Sequence, residues 1–138
     1  MKQIWIAAVL CFAFAAGAES EQQAVSGALA ELERAKSSLM QEYAARGKVF
    51  PKSSEWEYRS SSGEPIAYNS RQPKSASLVV TITGTKNGDL DNRHLAFFAT
   101  TRPDGTLAWT CGTARSALRT EPSEETSMYS YLPPECRH

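Results

Sequence analysis

The chain has 138 residues, with 15 Lys plus Arg against 15 Asp plus Glu, so its formal net charge is zero. That is one domain's worth of sequence, and without a net field it is not built to gather nucleic acid or an acidic membrane by bulk charge. Hydrophobic residues make up 41%, and many of them stand in the first 18 positions, so the rest of the chain has a modest core to build.

The N-terminus carries the marks of export. Lys2 supplies a short positive region, and Ile4 to Ala16 is apolar without a charge. That run is shorter than the roughly 20 residues a membrane span requires. Ala16-Gly17-Ala18 places small residues at the third and first positions before a cleavage point. Residues 1–18 are therefore expected to be a signal peptide cut after Ala18, leaving 138 − 18 = 120 residues, 19–138, periplasmic or secreted and without a membrane span. A lipid attachment at Cys11 is excluded, because Leu10 before it is not small and the apolar run continues past it.

Removing Cys11 with the signal leaves two cysteines, Cys111 and Cys136, in an oxidising compartment, where a pair is expected to bridge. The chain-entropy model puts closure of a 136 − 111 = 25-residue loop at roughly 3.5 kcal/mol. That is a large share of the roughly 5–10 kcal/mol that holds a small domain together. No CxxC spacing points to redox or metal chemistry.

Ser20 to Arg46, within the interval 19–47, reads as one amphipathic helix. Val25, Ala28, Leu29, Leu32, Ala35, Leu39 and Tyr43 recur at steps of three and four. Ser20 with Gln23 has the form of a capping box, Gly47 suits a left-handed C-cap, and Pro51 forbids continuation. Residues 51–76 read as a polar connector, in which Trp56 and Tyr58 alternate like a short strand and Pro65 to Tyr68 is a second extended piece. Leu78 to Thr83 is β-branched, His94 to Thr101 is apolar and aromatic, and Thr106 to Cys111 alternates with Leu107, Trp109 and Cys111 on one face. Lys86-Asn87-Gly88-Asp89 and Arg102-Pro103-Asp104-Gly105 are the turns between them. The expected fold is α+β. A long N-terminal helix packs on a three- to four-stranded antiparallel sheet with its core over 77–111, and a disulfide loop spans 111–136. Leu32, Leu39, Tyr43 and Trp109 are the expected structural core.

In this order the pieces resemble the globular domain of a type IV pilin over about residues 24–137. Trp109-Thr110-Cys111 and Leu132-Pro133-Pro134-Glu135-Cys136 match the Trp-x-Cys and Leu-Pro-x-x-Cys of pilins with a short disulfide region, and Leu39 to Pro51 resembles the pilin helix exit. The resemblance implies pilin or pilus-assembly proteins as partners. The start of the chain departs from the pattern. Pilins begin their mature chain with a methylated residue, a Glu four places on and a long apolar helix half, whereas Glu19-Ser20-Glu21 is polar. The expectation is thus a soluble accessory of pilus assembly. A secreted module for DNA uptake or adhesion is the alternative. The expected interaction surface is either the exposed helix face or the disulfide loop, where Arg115, Arg119, Tyr131 and Arg137 form the candidate interaction loop.

No catalytic residue, cofactor site or metal site is expected. The histidines are His94 at a strand start and the terminal His138, and Glu121, Glu124 and Glu125 read as a solvated face. DNA stays a minor possibility through Arg71, Lys74, Lys86 and Arg93. The mature chain holds 14 basic against 15 acidic residues, so any basic patch must be local.

Overall fold

The structure, a computed structural model, describes residues 16–60, 65–71 and 73–138. Most of the expected signal peptide, residues 1–15, lies outside them. Helix α1 spans Ala16–Ala45 and is followed by β1 (Tyr58–Arg59), β2 (Pro65–Arg71), β3 (Ser75–Thr81), β4 (His94–Thr101) and β5 (Leu107–Ala114). Two 3-10 turns, Thr126–Tyr131 and Pro134–Cys136, follow. The helix starts ahead of the expected Ser20, through alanines that favour helix.

One stripe of α1 is buried: Val25, Ala28, Leu32, Ala35, Leu39 and Tyr43. Leu32 and Leu39 are fully enclosed, each worth about 1.5–3 kcal/mol relative to an exposed side chain. The C-terminus closes as a Schellman motif. The Lys48 amide donates to the Tyr43 carbonyl at 2.8 Å and the Gly47 amide to Ala44 at 3.2 Å, with Gly47 at φ 70°. Phe50 then folds back on Tyr43, ring centroids 4.9 Å apart.

The sheet is antiparallel with five strands in the order β1-β2-β3-β4-β5, each beside its chain neighbour. This is wider than the expected three to four strands, because the polar connector holds two of them. Pro65–Arg71 is a full strand paired from Ala67↔Val79 to Arg71↔Ser75. Its Ile66 and Tyr68 are buried toward the helix side. The third strand runs earlier than expected, Ser75–Thr81 instead of Leu78 to Thr83. The fifth continues past Cys111, since the ladder with β4 carries on to His94↔Ala114.

Both faces of the sheet are covered. Leu78, Leu95, Phe97 and Ala99 meet the helix stripe, while Val79, Ala96, Phe98 and Ala114 form a separate cluster on the opposite face. Residues 115–123 cross that second face as a strap. Asn69 Nδ2 donates to the Ala117 carbonyl at 2.6 Å, and the Ser77 hydroxyl to the Arg119 carbonyl at 2.6 Å. The segment expected as a disulfide loop is thus also the cover of a buried sheet face. The continuous run Leu95 to Ala99 carries that signal, because burial at consecutive strand positions means both faces are occupied.

Cys111 and Cys136 are joined, with Cα atoms 4.5 Å apart. The bridge sets the C-terminal segment along the free edge of β5. There the buried Thr113 donates from its amide at 2.9 Å and its hydroxyl at 2.7 Å to the His138 carbonyl, and its hydroxyl accepts from the Glu125 amide at 2.8 Å.

Candidate interaction site

The side chains with chemistry are dispersed. His94 Nδ1 lies 3.1 Å from the Thr81 hydroxyl, and partial burial pushes its pKa below the ordinary histidine value. Among the described residues no three His, Cys, Asp or Glu side chains gather as metal ligands. The described residues also contain no helix long and apolar enough to cross a membrane.

The four residues expected to form an interaction loop each have their own setting. Arg115 is exposed at the start of the strap and faces Glu125, Nε to Oε1 3.4 Å. Arg119 is tied into the strap, its Nη2 3.5 Å from the Pro122 carbonyl and its Nε enclosed without a partner. Tyr131 packs against the main core, and Glu21 and Gln22 line a small hollow with it. Arg137 donates from Nε to the Leu132 carbonyl at 3.1 Å, bracing the C-terminal turn. Three of the four thus hold their own segment in shape.

What the fold does assemble is a groove between the C-terminal half of α1 and β5. Lys36, Met40, Tyr43 and Ala44 line one wall, Leu107 and Trp109 the other, and Lys48 with Gly105 closes one end, enclosing about 480 Å³. Tyr43 sets its width, donating to the Gly105 carbonyl at 3.0 Å and standing 3.3 Å from the Thr101 hydroxyl. The β4–β5 turn is fixed by Asp104, whose Oδ1 accepts from the Thr106 amide at 3.0 Å and hydroxyl at 2.6 Å; these bonds hold its carboxyl below the usual range.

Trp109 lies half-buried, edge-on to Phe97 at 6.4 Å between centroids. The Lys36 ammonium sits 5.3 Å from the Trp109 ring centroid and 5.9 Å from that of Phe97. Cation–π attraction of this kind holds a lysine over an apolar wall without a carboxylate partner. Met40, at 44% exposure, is one of three large apolar side chains open to solvent among the described residues, and it borders this groove. Strand alternation marked Trp109 and helical periodicity marked Tyr43, but nothing in the sequence alone brought the two walls together.

The groove belongs to a domain in which a long helix lies on an antiparallel meander whose last strand is bridged to the C-terminal segment. The sequence matches the family of pilins, bacterial filament proteins, over residues 24–137, and the chain belongs to that family. No curated protein and no solved structure matches it. The family is a structural one.

Proposed function

We propose that the protein is an exported, pilin-like accessory of type IV pilus biogenesis that modulates assembly, length or stability of pili through protein contacts. The observation that carries this reading is a pilin-family domain whose helix turns a polar face outward. Gln22, Gln23, Ser26, Glu33, Arg34, Ser37 and Gln41 are all exposed. A helix that packs in a filament core needs an apolar outer face, and this one is suited to water. The N-terminal pattern of residues 1–18 and the Cys111–Cys136 bridge both favour a place outside the cytoplasm.

The test is a count of surface pili and their lengths on cells lacking the gene and on complemented cells. Lost, shortened or unstable pili that recover on complementation are the expected outcome; normal pili in the deletion would remove the proposal. The DNA-uptake alternative has less behind it. Arg71 faces Glu121 at 3.6 Å and Arg115 faces Glu125, so two of the basic residues nearest the strap carry their own carboxylates.

A further inference from the structure

The edge of β5 beside the groove is unfinished. The Thr113 amide points out of the sheet to His138, which makes Leu95↔Thr113 a pair without mutual backbone bonds. By the alternation of antiparallel ladders the same holds for Ala99↔Trp109 and Thr101↔Leu107. The amides and carbonyls of Leu107 and Trp109 therefore face outward, and among the described residues nothing bonds to them. The C-terminal segment covers the edge at Thr113 and stops short of these two residues. An open edge of this kind is a template for one more strand.

Three further features lie along the same stretch. The groove presents Met40, Leu107 and Trp109 as an apolar floor. Lys36 and Lys48 stand at its two ends, and neither is within ion-pair distance of a carboxylate among the described residues. Lys48 holds φ 66°, a left-handed conformation that costs a non-glycine residue about 1–2 kcal/mol, and its stem passes directly over Gly105. Beyond Lys36 the neighbouring hollow is lined by Glu33 and Glu135, so the positive stretch is bounded.

The geometry points to strand addition: the β5 edge takes up an extended, acidic segment of a partner protein. Its backbone pairs with Leu107 and Trp109, an apolar side chain enters the groove beside Met40, and flanking carboxylates meet Lys36 and Lys48. Main-chain pairing supplies the affinity in such a mode, while the groove and the two lysines supply the selection. This rests on the reading that the protein works through protein contacts, and it names the surface and the chemistry of the partner.

The test uses the full chain, with a capped peptide as probe in which a valine has a glutamate two positions to each side and threonines between, so that all three share one strand face, and its lysine-for-glutamate counterpart as control. Titration followed by amide hydrogen exchange should show binding of the acidic peptide only, with the Leu107 and Trp109 amides slow to exchange in its presence and fast without it. Lys36→Glu with Lys48→Glu should weaken binding about tenfold or more, since like charges then face each other. Leu107→Pro removes one outward donor at a first-strand position where proline is tolerated, and should abolish binding while the unfolding midpoint holds. Equal binding of the basic peptide, no binding, or binding without protection of the two amides would each overturn the proposal. So would protection that rises with protein concentration alone, which would assign the edge to a second copy of this chain. Altered pili in the deletion together with a silent peptide titration would sink only the groove; normal pili with specific peptide binding would sink only the pilus reading.

Discussion

The Tyr68 hydroxyl donates to the Pro51 carbonyl at 2.8 Å in a buried setting, with Trp56 edge-on at 5.0 Å. Tyr68→Phe keeps the ring and leaves that carbonyl unpaired, so it should cost about 1–3 kcal/mol in denaturant unfolding. Burial pushes the Tyr68 pKa up to about 12 from 10.0. The folded state thus keeps a proton that the unfolded chain gives up sooner. Stability from this group is intact below pH 10 and is lost as pH climbs toward 12, a decline that the Phe variant should lack. The sequence marks Tyr68 only as the end of a short extended piece. Its partner stands 17 residues earlier, at the helix exit, and no local pattern links the two. Leu32, Leu39 and Tyr43 were legible as core because helical periodicity is itself the record of burial.

At the scale of elements, α1 was readable at its C-terminus and less so at its start. Gly47 has φ 70°, and a Cβ there would meet nothing within 4 Å. Gly47→Ala should therefore cost only the conformational term, about 1–2 kcal/mol by chemical denaturation. Gly88→Ala, equally open and without a positive φ, should leave stability unchanged or slightly raised. The β strands were legible where β-branched and aromatic residues crowd, in Leu78 to Ile82 and Leu95 to Phe98. β2 was read short because Asn69, Ser70 and Arg71 are polar, yet they pair along β3. Asn69 is there to hold the strap, a demand set by residues 48 positions later. The groove was illegible for the same reason: its walls come from α1 and β5, and only the register of the whole sheet sets them facing.

For the molecule as a whole, the sheet is sealed on one face by the helix and on the other by the strap, and the disulfide fixes where the strap returns. Replacing both cysteines, Cys111→Ser with Cys136→Ser, should lower stability by roughly 3.5 kcal/mol. In hydrogen exchange the loss should be largest at Thr113, whose four bonds to Ser123, Glu125 and His138 all reach into the C-terminal segment that the bridge restrains. Equal unfolding midpoints for the two proteins, with and without reductant, would show that packing alone holds the C-terminal segment. The family relationship over residues 24–137 accounts for the helix-on-meander plan.

The strict order of the meander also sets a timetable. Because each strand pairs with the one before it, a chain emerging N-terminus first can lay down the sheet as it appears, without waiting for distant sequence. Cys111 arrives with the last strand and finds no partner until Cys136 follows, after the strap has passed behind the sheet. We therefore expect oxidation to be the closing act of assembly, a seal applied to a finished sheet instead of a guide for building it; a reduced chain that fails to protect its β3 and β4 amides on refolding would overturn this.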